Sequence, residues 1–432
     1  MTDFFYLKLG QGNCLAKYWL NLEEKRPNIY NRPVAAIYFG TITTEKIREL
    51  TKICEKDANG KKEAKKEFQG IVGGKNPDFD AAKDFVEAGD KLGEKTFITI
   101  THNKVYIFEP SDEVEDMREI NGGKYDKDLD VLLQANTAET KKIEEMKIVN
   151  FSITNGLEAD LNKNVIPERL KKEFKTNKFA LSEDAIIEKG DKDNEWVIKD
   201  KEKEKIYIAR KEDEKLKIYR HIPKIMPVKN IKKYEIANVP HVLATLPTSQ
   251  HYTQGTCRKI DAKKDWGAIQ AIKHVLSNQK IEVTAEDYHR LIELLDPYEL
   301  ETLVFLILKN AGLFVPAWRG GTQKGIDIIG RNKTESQIKL PPVSFEPGKG
   351  KTFQIKKSIC KIGEVLDKAD FIVNVDTNIN GKADKILDAK WLLKQIKSKK
   401  QRETKEWLIN SLDWVKNVDA LVEEEAENET KN

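Results

Sequence analysis

Apolar and polar positions alternate or recur at helical spacing in blocks along the chain, and each change of spacing marks an element. "FFYLKL" (4–9) and "VAAIYFG" (34–40) are strand-like, and from about Thr44 to Glu67 the apolar positions return with helical period. The front of the chain therefore reads as mixed α and β. In "TFITITHNKVYIFEP" two β-rich runs, 96–100 and 104–108, flank a polar turn at His102 and Asn103, and Pro110 closes the second run. That is a hairpin pattern. From about 125 to 215 charged residues dominate, and "EWVIKD", "KIYIAR" and "KLKIYRHI" read as a strand meander with Lys, Glu and Asp in the turns. The segment 221–260 carries four prolines, too many for a continuous helix, and reads as a connector. Beyond Asp265, "WGAIQAIKHVL" and "AEDYHRLIELL" have helical spacing.

Length and composition add bounds to this pattern. A chain of 432 residues exceeds one ordinary core, and 39% hydrophobic residues suffice for two or three domains. The expected division is a mixed α/β or barrel-like domain over 1–125, a charged β-rich region with its Pro-rich connector over 126–262, a further domain over 263–420, and an acidic disordered tail over 421–432. The longest aliphatic or aromatic run, "LVFLIL" (303–308), is far too short to span a bilayer. The first residues lack the basic-then-apolar layout of a signal peptide, so a cytoplasmic protein with no membrane partner is expected. Cys14, Cys54, Cys257 and Cys360 have no CxxC spacing, which points away from a zinc cluster or a disulfide framework. A net charge of +4, from 75 basic and 71 acidic residues, identifies no partner by itself. No GxxxxGK[ST] run is present, so ATP-driven translocation by a P-loop is not encoded in this chain.

The chemistry concentrates after Leu294. In "LLDPYELETLVFLILKNAGLF", Asp296 suits an N-cap, Pro297 the first helical position, and Glu299 the closing partner of a capping box. Glu301 has no such role. It heads a helix that is apolar nearly all round, and a buried unpaired carboxylate costs several kcal/mol. Glu301 therefore calls for a cation, a donor or a metal, unless it turns to solvent or meets a lysine. "LFVPAW" reads as a strand, and in "GIDIIG" Asp327 interrupts three isoleucines, a disfavoured choice unless the strand lies at a wet edge. In "KTFQIKK", period two sends Phe353 and Ile355 to one face and Gln354 and Lys356 to the other, roughly 7 Å apart. A helical carboxylate, a strand Asp, and a neighbouring Gln and Lys suit metal-assisted phosphodiester hydrolysis.

These residues resemble a known family. "PYELETLVFLILKNAGLFV…GIDIIG…FQIKK", about residues 296–375, looks like the catalytic core of Mrr-like restriction endonucleases in the PD-(D/E)xK nuclease superfamily. The resemblance implies an α/β and α+β multidomain protein whose C-terminal part is a restriction-endonuclease-like core, a mixed β-sheet flanked by helices. It implies Glu301 and Asp327 as metal-binding acids, Gln354 in place of the usual second strand acid, Lys356 as the catalytic lysine, and Mg²⁺, or Mn²⁺, as cofactor. The long interval from Asp327 to Gln354 implies an enlarged hairpin insertion. The implied protein is a metal-dependent DNA endonuclease of restriction or defence type, a homodimer that cuts both strands of double-stranded DNA. Alternatives are a repair or recombination nuclease acting on branched DNA and a catalytically silent nucleic-acid-binding module.

From Asn310 to Cys360 nine Lys and Arg face three acids, a local +6 that suits phosphate binding. Arg319, Lys324 and Lys357 are candidate DNA contacts there. In the front half His102 and Lys104 at the hairpin tip, and His251 and Tyr252 in "TSQHYTQGT", are the corresponding candidates. Tyr6, Trp19 and Tyr38 would either line a base-stacking pocket or fill the core.

Overall fold

The computed structural model describes residues 2–9, 13, 16–22, 32–39, 42–72, 78–101, 103–116, 149–152, 185–189, 195–200, 205–212, 215–219, 223–248, 256–262, 265–284, 288–317, 325–357, 369–375 and 385–423. The chain is mixed α/β with several sheets, and it divides into two compact units. Residues 1–233 and 250–259 form the first, and 234–249 and 260–432 the second. Among the described residues no helix is long and apolar enough to cross a membrane.

The first unit contains β1 (Asp3–Leu7), α1 (Ala16–Trp19), β2 (Val34–Tyr38), α2 (Thr44–Cys54), α3 (Ala58–Val72), α4 (Phe79–Asp90), β3 (Lys95–Thr101), β4 (Lys104–Pro110) and β5 (Glu115–Asp116). It continues with β6 (Val149–Ser152), β7 (Ile186–Lys189), β8 (Glu195–Asp200), β9 (Lys205–Glu212), β10 (Lys215–Tyr219) and β11 (Pro223–Glu235), of which the last two residues belong to the second unit. One sheet runs β12-β1-β3-β4-β11-β2, with β5 also on β11 and β12 spanning Cys257–Lys259. A second, of five strands, runs β6-β10-β9-β8-β7 and contains the expected meander. The expected hairpin is β3–β4, paired from Phe97↔Phe108 to Thr101↔Lys104. Every residue of β3 is buried, Lys95 and three threonines included.

Two expectations change here. The helical run after Thr44 is two helices, because Asp57 caps a fresh start by accepting from Gly60 N–H at 2.7 Å. The connector over 221–260 begins instead as the thirteen-residue strand β11, which pairs with β2 from Pro223↔Tyr38 to Pro227↔Val34. Prolines four residues apart leave both missing donors along the same strand edge, so the opposite edge keeps its ladder.

In the second unit come α5 (His241–Ala244), α6 (Trp266–Ser277) and α7 (Pro297–Asn310). Between α6 and α7, "AEDYHRLIELL" forms a 3-10 segment over Tyr288–Leu294 rather than an α-helix. The chain turns extended again at Asp296 to cap α7. Then follow β13 (Phe314–Ala317), β14 (Ile328–Arg331), β15 (Ile338–Leu340), β16 (Val343–Phe345), β17 (Gly350–Lys356), β18 (Phe371–Asn374) and β19 (Ile386–Leu387). The unit ends with α8 (Ala389–Ile396), α9 (Arg402–Ser411) and α10 (Val418–Val422). The five-stranded sheet has the order β13-β14-β17-β18-β19, antiparallel through β17 and parallel beyond it. β15 and β16 make a separate hairpin between β14 and β17, within the long interval from Asp327 to Gln354. Asn332 is fully buried at its base, donating to Ser336 O at 2.7 Å and Phe345 O at 2.9 Å and accepting from Thr334 N–H. α7 packs against β13, β14 and β17, with Leu300, Leu303, Val304, Leu306, Ile307 and Leu308 buried.

Candidate functional site

Strand register builds the site. Ile328 pairs with Phe353, so Asp327, one residue before β14, stands level with Gln354 on the next strand. Asp327 N–H donates to Phe353 O at 2.9 Å, which keeps it in the ladder although the strand proper begins one residue later. Its carboxylate then turns to β17, where Oδ2 accepts from Ile355 N–H at 2.7 Å and lies 3.6 Å from Lys356 Nζ. Alternation places Gln354 and Lys356 on the same face. Phe353, on the other face, is fully buried between Phe345 and Phe371, and that packing pins the strand's rotation.

Gln354 is 6% exposed, and its Oε1 is enclosed with no hydrogen-bond donor. A buried carbonyl without a donor is costly. Asp327 Oδ1 likewise takes no hydrogen bond among the described residues. Glu301 projects from the second turn of α7, half-buried, with Oε2 sealed from solvent. The helix that carries it contacts β14, which Asp327 immediately precedes, and β17, which carries Gln354 and Lys356.

The other candidates fall in different settings. Lys357 is half-buried, and burial pushes its ammonium pKa down while Asp265, Asp296, Glu299 and Glu293 act to keep it charged. Lys104 opens β4, half-buried, level with Thr101. Tyr6 and Trp19 are buried, and the Tyr6 hydroxyl accepts from Asn13 Nδ2 at 2.8 Å. His102, His251, Tyr252, Arg319 and Lys324 lie outside the described residues, as does the Tyr38 side chain. The local excess of positive charge is also spread out by the fold. Arg331 pairs with Gly350 at the end of the ladder remote from Asp327, about 13 Å away by strand rise. Lys333, Lys339 and Lys349 lie beyond that end, on the hairpin insertion or at its base.

Two features escape sequence reasoning. Asn374 on β18 is 2% exposed and pairs in register with Lys356, which brings a buried amide to the site face. Nothing in "FIVNV" reveals its neighbour across the sheet. The second feature is the cluster His241, Asp296 and Glu299, whose ligating atoms lie within 4.8 Å of one another. Asp296 and Glu299 form the expected capping box, with Glu299 N–H donating to Asp296 Oδ1 at 2.8 Å and Asp296 N–H to Glu299 Oε2 at 2.9 Å. His241 Nδ1 makes a close contact with Asp296 Oδ2 from a stretch with no evident chemistry in the sequence. Burial works to raise the Asp296 carboxyl pKa, yet hydrogen bonds from His241 and from the Glu299 and Tyr298 N–H groups, with the His241 charge, bring it below the ordinary value. Burial pushes Glu299 up to about 7, aided by the Asp296 charge and opposed by the Asp296 N–H, His241 and Lys357. No family model, curated protein or solved structure matches the chain.

Proposed function

We propose that the second unit is a metal-dependent endodeoxyribonuclease with a restriction-endonuclease-like core of the Mrr type. One observation carries the reading: Asp327, Gln354 and Lys356 share one sheet face, with Lys356 Nζ 3.6 Å from the Asp327 carboxylate and a buried acceptor of Gln354 left open. Helix α7 and a sheet of three antiparallel strands followed by two parallel ones provide further support, because a sheet flanked by helices with Glu, Asp and Gln-x-Lys in that order is what the resemblance implies.

The donor atoms fit a hard divalent cation. Asp327 and Glu301 offer carboxylate oxygens and Gln354 an amide oxygen, the set that Mg²⁺ or Mn²⁺ prefers over the sulfur and imidazole of zinc sites. Such an ion, held by these residues, would lower the pKa of a bound water and neutralise phosphate charge. Lys356, only partly exposed, supplies a cation beside the carboxylate that orients a water or stabilises charge on a phosphate oxygen. Ile355 N–H, by holding Asp327 Oδ2, fixes which carboxylate oxygen remains for the ion.

In the full reading, the first unit selects double-stranded DNA, two copies of the chain cut the two strands, and the protein acts in the cytoplasm in restriction or defence. The test is incubation of methylated and unmethylated plasmid with the protein, with and without Mg²⁺ or Mn²⁺. Cleavage that requires the metal and disappears in Lys356→Ala is the expected result. Absence of cleavage on both plasmids with either metal, or undiminished cutting by Lys356→Ala and Asp327→Ala, would sink the assignment.

A further inference from the structure

The His241–Asp296 contact lies outside the candidate site yet touches the element that carries Glu301. Asp296 is 0% exposed, and a carboxylate so enclosed depends on donors. Glu299 N–H serves Oδ1, while the Thr245 hydroxyl at 3.2 Å and His241 Nδ1 serve Oδ2. Because the carboxyl is held ionised, the contact has Nδ1 as the donor. His241 and Thr245 belong to the short segment 234–249, whose flanking chain on both sides belongs to the first unit. Val242, Leu243 and Leu246 bury the segment's apolar side, and Tyr234 donates to Val275 O at 3.1 Å. The side chain that reaches Asp296 is itself 54% exposed, so it adds little to the core.

Asp296 caps α7, and Glu301 stands five residues along, on the second turn of the same helix. A cap that loses a donor loosens its first turn before it loosens the remainder. We infer that His241 is a positioning residue, acting through Asp296 to hold the start of α7 and thereby the Glu301 carboxylate toward its cation. For its effect on cleavage this inference rests on the nuclease reading; for its effect on α7 it does not.

The full chain is tested as His241→Ala and His241→Asn, since the Asn amide nitrogen can take the place of imidazole Nδ1. Amide hydrogen exchange over Glu299–Glu301 reads the helix start, and the Mg²⁺ concentration at half-maximal plasmid cleavage reads the carboxylate. His241→Ala should raise exchange there about tenfold, one hydrogen bond's worth, and raise the Mg²⁺ half-point severalfold while the rate at saturating Mg²⁺ changes little. His241→Asn should restore both. Unchanged exchange in His241→Ala overturns the positioning role. Faster exchange with an unchanged Mg²⁺ half-point overturns the link to Glu301. A wild-type protein that shows no metal-dependent cleavage overturns the nuclease reading instead, and the exchange result still decides whether His241 holds the helix.

Discussion

Asp327 has two separable duties, and two substitutions part them. Its Oδ2 accepts from Ile355 N–H at 2.7 Å, and Ile355 is buried, so an alanine there leaves an enclosed backbone donor unsatisfied at a cost of about 1–3 kcal/mol. Asparagine keeps an acceptor for that N–H and removes the charge. Its stability cost is then limited to the ion pair with Lys356, 3.6 Å long and with a lysine side chain 40% exposed, worth less than about 1 kcal/mol. The catalytic effect has the opposite weighting. Both variants lose the anion that would hold the cation, and plasmid cleavage should fall at least about a hundredfold in each, the scale on which removal of one electrostatic group is felt. Urea titration followed by circular dichroism, with cleavage time courses on the same samples, measures both quantities. Asp327→Asn cutting at the wild-type rate would show that the carboxylate is structural only. An asparagine variant as unstable as the alanine variant would refute the assignment of Oδ2 to the strand.

Three further outcomes follow from packing and titration. Phe353, fully buried with ring centroids 6.2 Å from Phe345 and 5.7 Å from Phe371, should cost about 3–5 kcal/mol on truncation to alanine, read as a lower urea midpoint for the second unit. Gly60→Ala would set a Cβ 2.2 Å from Ile53 O and part α2 from α3, lowering the melting temperature, whereas Gly70→Ala in the same helix meets nothing within 4 Å and should stabilise by about 0.5–1 kcal/mol. Equal shifts from the two would contradict the packing. Asp84, raised by burial from 3.8 to about 6, binds a proton in the folded chain that the unfolded chain has released, so its contribution is complete below pH 3.8 and is lost as pH climbs through about 6. The loss is at most about 3 kcal/mol, from a shift of about two units, and Asp84→Asn should abolish it: the variant's advantage grows between pH 4 and 7, and a constant difference would argue against the shift.

What could be read in the sequence was local. The capping box at Asp296 and Glu299, the β3–β4 hairpin and the two faces of β17 follow from spacing, because caps, turns and strand alternation are decided within a few residues. The break between α2 and α3 was hidden for a different reason: apolar positions continue through it, and only the Asp57 side chain resets the backbone. β11 was obscured by prolines that its pairing tolerates on one edge. Within the site, Asp327 and Lys356 are far apart in sequence, and their contact depends on the register of β14 with β17. Counting charge along 310–360 gave +6, yet pairing sends Arg331 to the remote end of the ladder and Lys357 in among four carboxylates. His241 was illegible, since a histidine in a proline-rich stretch acquires meaning only when the fold sets it on a helix cap.

The hairpin β15–β16 divides the two strands of the site in sequence, but the ladder closes before the hairpin begins. Asn332 N–H reaches Lys349 O at 2.9 Å, and Gly348 N–H reaches Asn332 O at 3.0 Å, so the backbone is clasped at the insertion's neck. The clasp holds the alignment of Asp327 with Gln354 at the neck, while Phe345 ties the insertion to Phe353. Closure entropy grows only slowly with loop length, so the exposed positions Glu335 and Lys339 offer a port for lengthening the chain or attaching a fluorophore. A reporter placed there would move with the sheet while leaving the carboxylate and the lysine in register.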